Sequence, residues 1–230
     1  MKLQILERLK CALAGADVIV YRHKTAHRSE LLRSINAVKT ERELLLTHVE
    51  AEQLINALEA TAQIQGDIAE VGTFRGASAR LLRQYSDQRK TLHVCDTFQG
   101  LPDPKPEHDA RFQRGEFASS LAEVQGYLGH NGIQYHVGLF PQSADEKMSN
   151  SKFSFVHLDV DLYEGTLGCL RFFYPRLSPG GILVSHDFGA DRAPGVVEAF
   201  KEYFSPAGIP FVQLSGYQGM VVKVAGALPA

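Results

Sequence analysis

The segment from Phe153 to Thr166, FSFVHLDVDLYEGT, constrains the fold more than any other stretch of the chain. Phe153, Phe155, Val156 and Leu158 read as a strand buried on both faces, which belongs inside a parallel sheet rather than in a half-exposed hairpin. The run breaks off at two carboxylates, Asp159 and Asp161, and a helix follows. In open α/β sheets ligands bind just beyond the carboxyl ends of strands, so two acids one residue apart are well placed there for chemistry. A turn with a helix-capping Asp is the simpler alternative. A second polar strand end, His186–Asp187, weighs against it.

After Gly66 short apolar runs alternate with helical patterns, the signature of a parallel sheet covered by helices on both faces. Strands are expected at Asp67–Val71, Thr91–Asp96, Gln134–Val137, Phe153–Asp159 and Ile182–Ser185. Helices are expected at Ser78–Tyr85, Leu121–Leu128, Thr166–Tyr174 and Pro194–Phe204. Two closing strands, Phe211–Ser215 and Gly219–Val224, are separated by too few residues for a crossover helix and should form an antiparallel hairpin. Five parallel strands followed by such a hairpin make a mostly parallel seven-stranded sheet. That ending suits a Rossmann-like methyltransferase fold better than a dinucleotide dehydrogenase, which usually runs a sixth parallel strand.

Upstream, residues 1–65 carry helical patterns and no convincing strand, so a helical cover over 1–65 and a core over 66–230 are expected. Leu3, Leu6, Leu9 and Leu13 recur at helical spacing, as do Leu31, Leu32 and Ile35. Thr47–Glu50 has the form of a capping box opening a helix that carries Ala51, Leu54, Ile55 and Leu58. That helix is open to two readings, a lid over a ligand or packing against the sheet edge. The loop Gly100–Arg114, rich in Pro and charge, is either a mobile flap on the ligand side or a solvated insertion.

Composition narrows the partners. The 230 residues are 44% hydrophobic and 22% charged, ordinary for a globular domain. A formal net charge of −2, without any Lys/Arg cluster, gives no footprint for nucleic acid. Three scattered cysteines, Cys11, Cys95 and Cys169, suit free thiols in a reducing compartment and indicate neither a disulfide framework nor a Cys-based zinc site. Charge interrupts the apolar pattern of the first 20 residues, and no run approaches the roughly 20 apolar residues of a membrane span. No membrane partner and a cytoplasmic location are therefore expected.

The first core strand leads into AEVGTFRGASARLL, where Gly72 and Gly76 allow close approach of a backbone to a ligand. The spacing is not G-x-G-x-x-G, and an acid, Glu70, precedes the glycines. An anion in this turn disfavours phosphate and favours a ligand bearing an ammonium or sulfonium, as S-adenosylmethionine does. Glu70, Gly72, Thr73, Gly76 and Ser78 are the candidate cofactor-binding residues of this turn. Asp96 ends the second strand about 20 residues beyond the glycines, the spacing of the acid that binds ribose hydroxyls in nucleotide folds. An ordinary strand-end cap is the alternative. Gly138, Phe140 and Pro141 follow the third strand, either beside an adenine or in a tight turn. Gly180 and Gly181 read as a turn into the next strand. His157 reads as a core histidine, and Tyr163 as either an acceptor-pocket residue or packing after the turn.

With these stretches in hand, the chain resembles the macrocin O-methyltransferase family of class I S-adenosylmethionine-dependent enzymes. The matching segments include ERELLLTHVEAEQL, GDIAEVGTFRGASARLL, CDTFQGLP, HVGLFPQS, FVHLDVDLYEGT, YPRLSPGGILVSHDFG and APGVVEAFKEYF, in order from Glu41 to Phe204. The resemblance implies metal-dependent methylation of a sugar hydroxyl in antibiotic biosynthesis. It implies Mg2+ as the metal, the first Asp of DVD, Asp159, as a metal ligand also facing the cofactor, and Asp161 as general base. Two consecutive acids complete the metal site in that family, but here the pair reads His186–Asp187. Asp159, His186 and Asp187 are therefore the expected metal ligands. Imidazole suits Mn2+ or another transition dication better than Mg2+; the alternative is that His186 stays off the metal and acts on the substrate proton.

If Asp159, Asp161 and Asp187 converge, each pair near 4 Å repels by about 4 kcal/mol at an effective dielectric of 20. A cation, a proton or an arginine such as Arg192 must offset that. The leading expectation is O-methylation of a glycoside or other polyol at a vicinal diol, by a homo-oligomer. A catechol-type phenolic methyltransferase, an NAD-dependent oxidoreductase and a non-catalytic nucleotide-binding module are the competing functions.

Overall fold

The computed structural model describes residues 26–226. Two compact units divide between Arg33 and Ser34. The described part of the first unit is the opening of helix α1 (Ala26–Glu41), which carries Leu31 and Leu32; Ile35 follows in the second unit. The expected pattern at Leu3, Leu6, Leu9 and Leu13, and Cys11 with it, lies outside the described residues.

The second unit holds the sheet. Helix α2 (His48–Ala60) precedes β1 (Asp67–Val71), α3 (Ala77–Tyr85), β2 (Leu92–Asp96) and the short helix α4 (Pro106–Asp109). Then come α5 (Leu121–Leu128), β3 (Ile133–Val137), the short helix α6 (Glu146–Asn150) and β4 (Phe153–Leu158). The chain continues through α7 (Tyr163–Phe173), β5 (Leu177–Ser185), α8 (Pro194–Phe204), β6 (Val212–Gln213) and β7 (Gly219–Val222). The seven strands run in the order β3-β2-β1-β4-β5-β7-β6. The first five are parallel and β7 pairs antiparallel with both β5 and β6. This is the expected class I methyltransferase arrangement.

The double-sided strand is present as anticipated, since every residue of β4 is buried and β4 lies between β1 and β5. Helices α7 and α8 pack on each other and α7 on β4; α2 packs on α3 and β5. The capping box forms with both its bonds, Glu50 N–H to Thr47 Oγ1 at 3.2 Å and Thr47 N–H to Glu50 Oε2 at 2.8 Å. Cys95 and Cys169 are buried free thiols, and among the described residues no helix is long and apolar enough to cross a membrane.

Two expected starts are corrected. The fifth strand starts at Leu177 rather than Ile182, so Gly180 and Gly181 lie inside it. Leu177 pairs with Phe153 and Ile182 with Phe155, so the intervening residues form an irregularity in the register. A Cβ at Gly181 would meet Ser178 and Ser154 carbonyl oxygens at 2.8 and 3.0 Å, which is why glycine stands there. Helix α7 begins at Tyr163, three residues before the anticipated Thr166. The loop 100–114 is more than a solvated insertion: Asp109 and Phe112 are buried, and Asp109 Oδ1 accepts from the Tyr163 N–H at 3.1 Å. Leu101 exchanges backbone bonds with Gly115 and Glu116 and so closes the base of this loop.

One buried pair sets a pH response. His93 Nδ1 and His136 Nε2 lie 2.9 Å apart on neighbouring strands, both out of solvent. Burial, then the His93 charge, lowers the His136 pKa, against a weaker opposing pull from Asp145. The neutral form's contribution to stability is complete above the unfolded-state value of 6.5 and is lost as pH falls from there through the lower folded-state value. Thermal unfolding between pH 7 and 5 is expected to show a decline in melting temperature that shrinks in His136→Asn; an unchanged decline would exclude this pair as its source.

Candidate active site

The carboxyl ends of β1, β2, β4 and β5 converge, and the ladder continues past those of β1, β4 and β5. Gly72 N–H donates to Cys95 O at 2.9 Å, Asp159 N–H to Val71 O at 2.9 Å and His186 N–H to Leu158 O at 2.8 Å. The polar residues that follow are thereby held by backbone rather than by flexible loop. They open on a cavity of about 680 Å3, within the roughly 300–1,000 Å3 usual for small-molecule sites. Gly72, Asp96, Asp159, Asp161, His186 and Asp187 all line it.

Asp161 and Asp187 both have left-handed backbone, with φ of 60° and 58°. Asp tolerates this region better than most residues, at a cost on the order of 1–3 kcal/mol each. In the tight turn at DVDL, Leu162 N–H reaches back to Val160 O at 2.6 Å. Asp159 and Asp161, two residues apart across this turn, both line the cavity.

His186 occupies the centre of the acidic group. Its Nδ1 lies 3.1 Å from Asp159 Oδ1 and 3.1 Å from Asp187 Oδ2, and its Nε2 lies 3.8 Å from Glu50 Oε1. Burial opposes the imidazolium, but Asp159, Asp187 and Glu50 together raise the pKa of His186 far above its ordinary value. Burial likewise works against the Asp159 carboxylate, and His186 overcomes it, leaving Asp159 below the usual range. Asp161 moves the other way: burial, then the charges of Asp187 and Asp159, hold it well above that range. Asp187 is raised too, chiefly by burial. Without a cation the offsetting positive charge falls on His186 and not on Arg192, which pairs with Glu116 and stacks over Phe112 with its guanidinium carbon 4.4 Å from the ring centroid; a cation held at Nδ1 would take over that role and require the imidazole to be neutral.

One donor atom each from Asp159, His186 and Asp187 falls within 4.8 Å of the others. Two carboxylate oxygens and an imidazole nitrogen, with room in the cavity for further oxygens, fit a divalent cation of the Mn2+ or Fe2+ type and leave Mg2+ less favoured.

The glycine turn is organised differently from the expectation of a bare ligand cradle. A Cβ on Gly72 would lie 1.8 Å from the Asp159 carbonyl oxygen, so this glycine is required by the neighbouring strand end. Asp96 Oδ2 accepts from the Thr73 and Phe74 N–H groups at 2.8 and 3.1 Å, and its Oδ1 from Phe98 N–H at 2.7 Å. These bonds fill three of about four acceptor positions and leave one toward the cavity. Burial nevertheless raises the Asp96 pKa, against those three donors.

Glu70, Thr73, Gly76 and Ser78 do not line the cavity. Glu70 is fully buried, its carboxylate bonded to His157 Nδ1 at 2.9 Å and to the Thr73 hydroxyl at 2.8 Å. It thus braces the turn from behind. Glu70→Ala leaves a buried histidine nitrogen without its partner and is expected to cost about 1–3 kcal/mol in chemical denaturation; an unchanged unfolding free energy would show that the pair is dispensable. Tyr163 is also turned away, stacked on His108 at 4.0 Å between centroids with its hydroxyl bonded to Glu202. Gly138, Phe140 and Pro141 do line the cavity, although Phe140 is largely buried against Phe173. Sequence reasoning assigned Glu50 only to its helix cap, and its approach to His186 has no signal in local spacing.

Comparison with known proteins bears on this geometry. Residues 46–211 match the sequence model described as macrocin O-methyltransferase. Over 163 residues the chain is 31% identical to mycinamicin III 3''-O-methyltransferase of Micromonospora griseorubida, covering 64% of this chain and 63% of that protein. Over 154 residues it is 27% identical to a Streptomyces olivaceus 4'-O-methyltransferase of a rhamnosyl-tetracenomycin, covering 60% of this chain and 59% of that one. The chain thus spans about three fifths of the length of these curated relatives. Among solved structures, the O-methyltransferase NovP superposes with a TM-score of 0.68 at 19% identity, covering 86% of this chain and 98% of that chain. The calicheamicin methyltransferase CalS11 gives 0.67 at 17%, covering 88% and 95%. At these identities the two structures establish the fold.

Proposed function

The chain belongs to the macrocin O-methyltransferase family, and from that membership we propose that it methylates a hydroxyl of a sugar moiety, or a related vicinal diol, of a natural product, using S-adenosylmethionine and a divalent cation. The observation that carries this reading is the convergence of Asp159, Asp161, His186 and Asp187 on the cavity that also reaches Gly72 and Asp96.

In this reading the cofactor lies over the ends of β1 and β2, with the remaining acceptor position of Asp96 toward its ribose. Gly72 lets the turn pass close against the Asp159 strand end, and Thr73 and Glu70 brace that turn from behind. Gly76 and Ser78 serve at one remove, by starting α3. Asp159, His186 and Asp187 would hold the cation, whose positive charge would lower the pKa of the acceptor hydroxyl and favour the ionised forms of the surrounding carboxylates. Asp161 takes the proton from the acceptor hydroxyl at its carboxylate oxygen as the oxygen attacks the sulfonium methyl. The fixed strand ends contribute alignment, a factor that reaches about 7–11 kcal/mol when reacting atoms are well oriented. The same reading includes assembly as a homo-oligomer.

Incubation with S-adenosylmethionine, Mn2+ or Mg2+, and parallel panels of deoxysugar glycosides and catechols tests the acceptor class by mass spectrometry. Methylated glycosides are expected. Transfer to catechols alone would replace the sugar reading with a phenolic one.

A further inference from the structure

Granting the metal-assisted reading above, we infer that Glu50 is a positioning residue that orients His186 and thereby sets how tightly the site holds its cation. Glu50 is 1% exposed, deeper than an ordinary capping-box acid at a helix start. Its two oxygens divide their work. Oε2 closes the cap, accepting from Thr47 N–H and the Thr47 hydroxyl, both at 2.8 Å. Oε1 accepts from Tyr217 N–H at 2.8 Å and faces His186 Nε2 at 3.8 Å, within ion-pair reach.

Nothing in helix capping requires the second oxygen to be buried beside a histidine. The chain has packed tightly to achieve it: a Cβ on Gly216 would come within 2.5 Å of Glu50 Oε1. Gln53, one turn further along α2, bonds Ser215 in the same hairpin, through its amide to the Ser215 carbonyl at 2.8 Å and through its oxygen to the Ser215 N–H at 3.2 Å. Tyr217 O in turn accepts from Phe188 N–H at 3.0 Å, next to Asp187. The start of α2, the β6–β7 turn and the segment after β5 therefore form one braced unit around His186.

A histidine that binds a metal through one ring nitrogen commonly presents the other to a carboxylate, which fixes ring orientation and tautomer; loss of that partner typically weakens metal affinity 10–100-fold. With Glu50 at Nε2, the nitrogen that faces Asp159 and Asp187 is Nδ1. The orienting acid comes from α2, so the helix ahead of the sheet takes part in the site without entering the cavity.

Mn2+ titration calorimetry on metal-free wild type, Glu50→Gln and Thr47→Ala separates the two duties of Glu50. Gln keeps a capping-box side chain but removes the charge at His186, whereas Thr47→Ala breaks the cap and leaves the carboxylate in place. Glu50→Gln is expected to bind Mn2+ about 10–100-fold more weakly, and Thr47→Ala as wild type does even if its melting temperature falls. Equal weakening in both variants would reduce Glu50 to a capping residue and overturn the inference. Unchanged affinity in Glu50→Gln, with a wild type that binds Mn2+, would overturn it while sparing the metal-assisted reading. A wild type that binds neither Mn2+ nor Mg2+ would remove that reading and this inference with it.

Discussion

Asp161→Asn is expected to lower methyl transfer by about 10²–10⁴-fold, the usual worth of a positioned general base, with S-adenosylhomocysteine affinity unchanged. Asn is the informative replacement because position 161 sits at φ 60°, where Asn is tolerated and alanine adds backbone strain. It also keeps the shape that packs beside Asp187. The effect should fall on kcat more than on the acceptor KM, since the proton moves only as the new bond forms. Turnover within about threefold of wild type would take Asp161 out of the base role, because that change is well below the range for acid–base catalysis. His186 would then be the next residue to test for proton removal.

Gly72→Ala is expected to be the most damaging substitution of a single atom in the core. Its Cβ would lie 1.8 Å from the Asp159 carbonyl oxygen, a rigid backbone atom in the strand-end segment that carries the acids, and φ at position 72 is +81°. Neither strain can be relieved by a rotamer change, so β1 and β4 must separate at the point where they deliver their residues to the cavity. A loss of more than about 4 kcal/mol in unfolding free energy is expected, in the exceptional class for point mutants. A variant that folds should bind S-adenosylhomocysteine poorly. Wild-type stability and affinity in the alanine variant would contradict the close approach on which the strand-end geometry depends.

Much of this architecture was legible because each central strand is sandwiched between neighbours. Phe153, Phe155, Val156 and Leu158 supply the apolar run of β4, and Ile68, Ala69 and Val71 that of β1, even though each strand also buries polar residues, Ser154 and His157 in one and Glu70 in the other. The capping box at Thr47 was readable because its two bonds are local, spanning three residues. The bulged start of β5 was not, since SPGG carries the composition of a turn and only its pairing with Phe153 makes it strand. The helix Pro106–Asp109 escaped because its stability comes from burying Asp109 against the start of α7, a contact distant in sequence. At the site, residue types at strand ends were sufficient to nominate Asp159, Asp161, His186 and Asp187. Direction was harder: nothing near Glu70 announces that its carboxylate turns inward to His157, nor near Glu50 that its second oxygen reaches His186. Both depend on register between segments far apart in the chain.

The most direct measurement is calorimetric titration of S-adenosylhomocysteine into metal-free protein, repeated with Mg2+ and Mn2+ and with Asp159→Ala. A metal-assisted methyltransferase predicts cofactor binding in the micromolar range, and a metal heat, larger for Mn2+ than for Mg2+, that disappears in Asp159→Ala. Absence of cofactor binding under every condition would contradict the function while leaving the fold in place.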